Sequence, residues 1–309
     1  MAKLDLITGF LGAGKTTFLT HYVPFLAAKG ERIAVLVYDH GTVNVDLPLL
    51  REKCGDCCDL EMVASAADAD CLRRRFHAKL VFLGMGGYDR VIIEPSGVFD
   101  MDEYFDFLGE SPLDRFYKPG NVICVLDAML GADIPPEADF YLASQAADAG
   151  CVVLSRTQLA SPEETAATLR RLEEAGRKIR CSVSLADHVL SRNWDELTEE
   201  DLEMLAGCGY RPADYMKTIA GQGSAFQTIS FLEPAAGKRE LEEKTAQLFA
   251  DPRFGHVLRV KGFIREDGIW YKINSDGKRL SAEPAEASQR VLIIIGTGLD
   301  EAAIRSWIQ

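Results

Sequence analysis

The stretch Gly9-Phe10-Leu11-Gly12-Ala13-Gly14-Lys15-Thr16 decides the fold of this chain. It fits the pattern G-x-x-x-x-G-K-[ST], and it stands between an apolar run, Leu4–Thr8, and a helix-forming stretch, Thr16–Lys29. In that context the pattern is typical of a phosphate-binding loop. The glycines let backbone N–H groups turn toward the anion, and the helix N-terminus adds the positive end of its dipole. The sequence therefore predicts a phosphate-binding loop at the edge of an α/β sheet.

A second apolar run supplies an acid of the kind that nucleotide hydrolysis uses. The apolar run Val91–Ile93 is followed by Glu94 and then by Pro95-Ser96-Gly97. Because ligands of α/β sheets bind at the carboxyl ends of the strands, we expect Glu94 to act on Mg²⁺, directly or through water, or on the attacking water. We expect the Gly97 amide to contact the γ-phosphate and Lys15 to reach the β- and γ-phosphates. Lys15, Glu94 and Gly97 are thus the predicted catalytic residues.

Strand-like and helix-forming stretches alternate over the first part of the chain. One helix-forming stretch, Pro162–Ala175, opens with a capping box at Ser161 and is expected to close at Gly176. This alternation predicts an α/β domain with a mostly parallel sheet flanked by helices. A further strand is predicted at Ile179–Ser184. The buried strands are predicted at Leu4–Thr8, Arg32–Tyr38, Arg90–Ile93, Val122–Leu126 and Cys151–Leu154.

The pattern changes in the last third of the chain. Trp194–Lys217 is polar and helix-forming, and Gly221–Ser224 has the composition of a linker. A small α+β domain is expected to follow, with a hairpin turn at Asp267-Gly268. Its strands and helices are predicted at Phe226–Leu232, Arg239–Phe249, Val257–Ile264, Ile269–Ile273, Val291–Ile295 and Asp300–Ile308. We therefore expect a nucleotide-binding domain over residues 1–190, a helical linker over 191–224 and a C-terminal domain over 225–309.

Composition and charge disfavour several functional classes. Hydrophobic residues make up 47% and charged residues 26% of the 309 residues, as in a globular protein. The net charge of −13 repels phosphate backbones and anionic lipid, so neither nucleic acid nor membrane is expected as a partner. Apolar runs such as Val291–Ile295 are far shorter than the ~20 residues that span a bilayer, and the N-terminus shows no signal-peptide pattern. We expect a cytoplasmic protein.

Four segments of the sequence, taken together, point to one family. They are Ile7–Thr17, Glu94–Gly97 as an E-x-x-G motif, Gln145–Asp148 before a predicted strand, and Arg259–Phe263 with Leu292–Leu299. This combination resembles the CobW-like P-loop GTPases, relatives of the HypB, UreG and MeaB metal or cofactor chaperones. The resemblance covers nearly the whole chain and implies a P-loop domain followed by a CobW-C-like α+β domain. It implies phosphate contacts from Gly12, Ala13, Gly14, Lys15, Thr16 and Thr17.

The same resemblance implies an activity. The protein would bind GTP and Mg²⁺, hydrolyse GTP slowly and deliver a transition metal such as Zn²⁺ or Co²⁺ to a client metalloprotein or cofactor enzyme. The alternatives are an ATP-using or dual-specificity relative, a regulatory module that barely hydrolyses nucleotide, and a chaperone for a corrinoid enzyme. A homodimer is compatible with the sequence.

The segment after the second predicted strand aligns with the family's switch region. Tyr38-Asp39-His40-Gly41 stands where the family has N-E-x-G, and Asp46 matches a downstream acid. Asp39 keeps a carboxylate on a shorter stem, so it is expected to join Thr16 and Glu94 as a Mg²⁺ ligand. His40 is either a metal ligand or a packed or solvent-facing loop residue.

The base-recognition motif departs from the family. Where the family has N-K-x-D, this chain has Ser155-Arg156-Thr157-Gln158. The Asp of the family motif accepts two hydrogen bonds from guanine, whereas the Gln158 amide has one accepting oxygen and one donating NH₂. Ser155, Arg156 and Gln158 are still the expected base contacts, with Arg156 able to stack on either purine. A weaker preference for guanine follows.

The eight cysteines include one cluster, Cys54-Gly55-Asp56-Cys57-Cys58. The family's C-x-C-C thus becomes C-x-x-C-C, which still places three thiols within five residues. Thiolates are ligands for soft cations, and Zn²⁺ takes four S or N ligands. Cys54, Cys57 and Cys58 are therefore the predicted transition-metal ligands, and Cys71 is either a fourth ligand or a buried helix thiol. A redox dithiol is the alternative.

Overall fold

The computed structural model describes two compact units. The first spans Met1–Asp39 and Leu49–Ile219, and the second spans His40–Pro48 and Ala220–Gln309. The residues that the structure describes are 1–39, 45–63, 69–130, 134–217, 226–234, 237–277, 279–287 and 289–308. The predicted linker at 221–224 and His40 lie outside these residues.

The first unit contains a seven-stranded parallel sheet, which confirms the predicted fold class. Its strands lie in the order β3-β2-β4-β1-β5-β6-β7. All residues of β2 and β4 are buried, as expected for parallel strands that helices cover on both faces. The strands are β1 (Ala2–Thr8), β2 (Ile33–Tyr38), β3 (Asp59–Val63), β4 (Arg90–Pro95), β5 (Tyr117–Asp127), β6 (Cys151–Ser155) and β7 (Val189–Leu190).

Helices connect these strands. The capping box at Ser161 is present at the start of α7, where the Glu164 N–H donates to the Ser161 hydroxyl. No helix in the described ranges is both long and apolar enough to cross a bilayer. The helices are α1 (Lys15–Ala28), α2 (Leu47–Cys54), α3 (Ala69–Gly84), α4 (Met101–Gly109), α5 (Leu113–Phe116), α6 (Ala138–Ala147), α7 (Pro162–Lys178) and α8 (Glu199–Ala206).

Two local predictions for this part of the chain are wrong. The stretch predicted as a strand at Ile179–Ser184 forms turns and bends, because α7 runs past Gly176 to Lys178 and uses the start of that stretch for its C-terminal turn. The pairing strand β7 comes later, after the turns. Trp194–Lys217 is not one helix: a 3₁₀ turn at Trp194–Glu196 precedes α8, and residues 211–217 are irregular.

The second unit contains a five-stranded antiparallel sheet in the order β11-β10-β9-β12-β8. The predicted hairpin is confirmed, since β9 pairs with β10 through the Asp267-Gly268 turn, where both residues have positive φ. The edge strand β11 has no counterpart among the predicted elements. The elements are β8 (Phe226–Leu232), α9 (Lys238–Ala250), β9 (His256–Glu266), β10 (Ile269–Ser275), β11 (Leu280–Pro284), β12 (Val291–Thr297) and α10 (Glu301–Ile308).

A buried ionic cluster connects several strands and one helix of the first unit. The Arg90 guanidinium on β4 contacts the Asp5 carboxylate on β1 at 2.5 Å, and both side chains are almost fully buried. Arg90 also donates two hydrogen bonds to Glu31, while the Tyr22 hydroxyl and the Asn121 side chain donate to Asp5. Burial raises the pKa of Asp5, and the adjacent Arg90 opposes that shift. This cluster joins β1, β4, β5 and α1.

Removing one charged side chain of this cluster should lower the stability of the first unit. We expect Arg90→Met to lower the free energy of unfolding of the first unit by about 3–5 kcal/mol, because it leaves the buried Asp5 carboxylate without a positively charged partner. Adding Asp5→Asn should recover part of that loss. Urea unfolding followed by the fluorescence of Trp194, with Trp270 and Trp307 replaced by Phe, measures it.

The control is Arg177→Met, which breaks an exposed pair with Glu174 at 4.0 Å in the same unit. Its effect should stay below about 1 kcal/mol. Equal losses for Arg90→Met and Arg177→Met would show that the buried cluster does not stabilise the sheet.

Candidate functional site

The glycine-rich loop adopts a backbone that only glycine accepts easily. Gly9, Gly12 and Gly14 have φ values of 142°, 77° and 102°. A Cβ on Gly9 would lie 2.2 Å from the Val125 carbonyl oxygen, so the loop can approach β5 this closely only without a side chain there. The Ala13 N–H donates to the Phe10 carbonyl at 3.1 Å and closes the turn. Helix α1 starts directly after Gly14, which gives the loop the helix N-terminus that anions favour.

Lys15, Thr16 and Glu94 meet at the carboxyl edge of the central strands. The Lys15 ammonium donates to the Gly9 carbonyl at 2.8 Å, and the Thr16 hydroxyl donates to the Glu94 carboxylate at 2.5 Å. All three side chains are at least nine-tenths buried. Asp39 follows β2, whose Tyr38 is in register with Pro95 of β4, so Asp39 stands at the same edge. A hydroxyl and carboxylates are the hard oxygen ligands that Mg²⁺ takes, and these residues fit that ion.

The loop after Glu94 packs on the phosphate loop. A Cβ on Gly97 would lie 2.5 Å from the backbone nitrogen of Leu11 and 2.7 Å from its Cα. Real Cβ atoms do not approach backbone this closely, so Gly97 permits the contact by having no side chain. The structure therefore places Gly97 against the loop predicted to hold the phosphates.

The predicted base contacts separate into two environments. Arg156 has a positive φ of 57°, and its guanidinium pairs with Asp127 and donates to the Gly12 carbonyl at 3.1 Å. Ser155 is buried at the end of β6, whereas Gln158 is exposed on the following turn. Arg156 is thus oriented toward the phosphate loop by an ion pair that was not predicted.

Two residues of this region were missed by the sequence analysis. Asp127 ends β5 as Glu94 lies near the end of β4, so an acid after the apolar run Val122–Leu126 was an available signal. Trp194 packs near Gly14, with its ring carbon Cη2 3.1 Å from where a Gly14 Cβ would stand. Its indole N–H donates to the Leu154 carbonyl at 3.0 Å. Nothing in the sequence pattern marks Trp194 as a neighbour of this loop.

The three clustered thiols differ in burial. Cys54, the last residue of α2, is fully buried, with its sulfur 3.9 Å from the Leu19 carbonyl. Cys57 and Cys58 are half-buried, and their sulfurs lie 3.2 Å and 3.4 Å from the Cys54 carbonyl. Burial raises the pKa of Cys54 and Cys58 to about 12. Over the ranges that the structure describes, no three His, Cys, Asp or Glu side chains form a group that could hold a metal ion.

The parallel sheet, the glycine-rich loop and the buried acid together define a P-loop nucleotide-binding protein. Residues 4–186 match the family described as CobW/HypB/UreG, nucleotide-binding domain, and residues 228–309 match the cobalamin synthesis protein cobW C-terminal domain. The chain belongs to this family, which confirms the resemblance found in the sequence.

Relatives match over different lengths. The zinc chaperone YeiR of Escherichia coli (strain K12) is 26% identical over 334 residues, covering 99% of this chain and 97% of YeiR. The zinc chaperone YjiA of the same organism is 30% identical over 171 residues, covering 52% of this chain and 51% of YjiA. The crystal structure of Zn(II)-bound YjiA GTPase aligns over 99% of this chain and 97% of YjiA, with 19% identity and a TM-score of 0.38.

The contact between Gly97 and Leu11 yields a test of the site. Gly97→Ala should slow triphosphate hydrolysis on the order of a hundredfold, because the methyl group displaces either the phosphate loop or the loop after Glu94. Single-turnover hydrolysis measures the effect. The control is Gly109→Ala at the end of α4, where a Cβ would meet nothing within 4 Å. Wild-type rates in Gly97→Ala would place this loop outside the site.

Proposed function

We propose that this protein is a Mg²⁺-dependent nucleoside triphosphatase that hydrolyses GTP slowly and couples the nucleotide to delivery of a transition metal. The triphosphatase activity is supported by the hydrogen bond from the Thr16 hydroxyl to the Glu94 carboxylate, which is 2.5 Å long and lies beside Lys15. A hydroxyl, a carboxylate and an ammonium group therefore lie together where the phosphate loop meets the carboxyl ends of the strands. Family membership supports the same chemistry.

The chain's own groups contribute mainly position and charge. Gly12 and Gly14 would present backbone N–H groups to the phosphates, on either side of Ala13, whose N–H closes the turn to Phe10, and Lys15 balances the charge of the transferred group. Thr16, Glu94 and Asp39 would hold Mg²⁺, which neutralises charge on the phosphate oxygens when bound. Glu94 also accepts hydrogen bonds, so it can orient a water molecule for in-line attack. No covalent intermediate is required.

The residues expected to contact the nucleobase differ from those of the family. Gln158 replaces the family's Asp and is exposed, and Arg156 is engaged by Asp127 and Gly12. A neutral amide in place of a charged acceptor weakens guanine recognition by about 1.5–3 kcal/mol at most. We therefore propose that GTP is preferred only modestly and that ATP is the alternative substrate.

Metal delivery is proposed from the relatives' names and the thiol cluster. YeiR and YjiA are named zinc chaperones. In this chain Cys57 and Cys58 are half-buried neighbours, accessible enough to receive Zn²⁺ or Co²⁺ as cargo, with Cys54 as the third thiol. A client metalloprotein or cofactor enzyme would take the metal. The cytoplasmic location stays a prediction.

A second candidate function has its own support. Cys54 is turned into the core, and the described residues offer no ready group of three ligands. A nucleotide-dependent chaperone or regulatory module without metal transfer is therefore the alternative.

The phosphate site is tested by Lys15→Ala, with Lys118→Ala as the control on the exposed start of β5. We expect Lys15→Ala to abolish triphosphate binding, because the ammonium that balances the phosphate charge is lost. The variant also loses a buried hydrogen bond to the Gly9 carbonyl, so its melting temperature is measured beside that of the control to show that it stays folded. Titration calorimetry with GTP and with ATP measures affinity and preference together. Tight binding by Lys15→Ala would refute the phosphate site, and a GTP preference above about a thousandfold (~4 kcal/mol) would refute the weak base selection.

The metal proposal is tested by titrating Co²⁺ into wild type and Cys57→Ser/Cys58→Ser, observing the thiolate charge-transfer absorption. We expect an absorption signal from wild type and none from the double variant. Because thiol pKa values here are raised, binding must release protons, and affinity should rise about tenfold per pH unit for each proton released. Cys181→Ser, outside the cluster, is the control. Equal signals from wild type and the double variant, or no signal with or without nucleotide, would favour the module without metal transfer.

A further inference from the structure

Gln145 is a buried polar side chain that the mechanism above does not use. It lies on α6 and is fully buried, in a turn of helix whose other buried side chains are small: Ala143, Ser144, Ala146 and Ala147. Burying an amide costs free energy unless hydrogen bonds replace those to water. The partners of this amide therefore indicate why a long polar side chain occupies the position.

The NH₂ group of Gln145 donates to two backbone carbonyls of one loop. Its Nε2 atom lies 3.2 Å from the Gly97 oxygen and 3.3 Å from the Phe99 oxygen. The opposite amide orientation would set an oxygen against two oxygens, so these acceptors fix which end faces the loop. On the other side, Oε1 is buried, and no described residue hydrogen-bonds to it. The bonds to the loop are thus what the amide contributes.

The loop that Gln145 contacts is the one that follows Glu94. Residues 96–99 form a tight turn, closed by the Phe99 N–H donating to the Ser96 carbonyl at 3.1 Å. Gly97 of this turn also lies against the backbone of Leu11 in the phosphate loop. In a trans peptide the C=O and the next N–H point in opposite directions, so holding the Gly97 carbonyl also fixes the Val98 N–H. Gln145 therefore sets the orientation of peptide groups beside the phosphate loop.

We propose that Gln145 is a positioning residue that holds the 96–99 turn in the conformation that recognises a terminal phosphate. The inference rests on the proposed nucleotide function. A diphosphate has no γ-phosphate, and its binding depends on the phosphate loop rather than on this turn. Loss of the amide donors should therefore affect triphosphate binding and hydrolysis but spare diphosphate binding.

The test compares Gln145→Met and Gln145→Glu with the control Ser144→Ala. Met is unbranched and similar in size but has no donor, and Glu keeps the shape but faces the two carbonyls with a carboxylate. Ser144 is a buried neighbour on α6 whose hydroxyl lies 3.4 Å from the Tyr141 carbonyl of the same helix. Affinities for GTP, ATP and their diphosphates, and single-turnover hydrolysis, are measured for each variant.

We expect the triphosphate-over-diphosphate preference to fall about tenfold (~1.4 kcal/mol) in Gln145→Met, with a matching loss in hydrolysis rate and unchanged diphosphate affinity. The triphosphate-over-diphosphate preference should fall further in Gln145→Glu and should stay unchanged in Ser144→Ala. Equal loss of diphosphate and triphosphate affinity, or wild-type preference in Gln145→Met, overturns the positioning role alone. Wild-type protein that binds no nucleotide overturns the proposed function and the inference with it.

Discussion

The buried carboxylate of Asp5 connects the elements that carry the candidate site. At 2.5 Å it contacts Arg90 of β4, and it accepts hydrogen bonds from Tyr22 of α1 and Asn121 of β5. The same elements carry Glu94, Lys15 with Thr16, and Asp127 at or near one end. A charge pair taken out of water is stable only with good geometry and further hydrogen bonds, which restricts how the strands and α1 can shift against one another.

The site at the carboxyl edge depends on close backbone approaches. Gly9 lies against Val125, and Gly97 lies against Leu11, at distances that exclude any side chain. Each glycine gives up side-chain packing in exchange for contact between segments that are far apart in sequence. The phosphate loop is thereby fixed to β5 on one side and to the loop after Glu94 on the other, so the groups proposed to meet the phosphates are arranged before nucleotide arrives.

The second unit carries an ionic cluster of its own. Asp46 lies 2.7 Å from the Lys272 ammonium of β10 and 3.5 Å from that of Lys261 on β9. These lysines hold the pKa of Asp46 far below its usual range, although burial acts in the opposite direction. The sequence pattern marked Asp46 only as a downstream acid of the switch region, and its partners come from strands more than two hundred residues later.

The sequence by itself determined the fold class, the phosphate loop and the acid at the end of β4. These follow from local signals: glycine spacing, continuous apolar runs for parallel strands, and a capping box at α7. It mistook Ile179–Ser184 for a strand, because an apolar pattern does not show where the preceding helix stops. Only the tertiary structure decided that Arg156 pairs with Asp127, that Trp194 packs near Gly14 and that Gln145 holds the 96–99 turn. These contacts join residues tens of positions apart, and such pairings arise from how the helices and strands pack, which no short sequence pattern encodes.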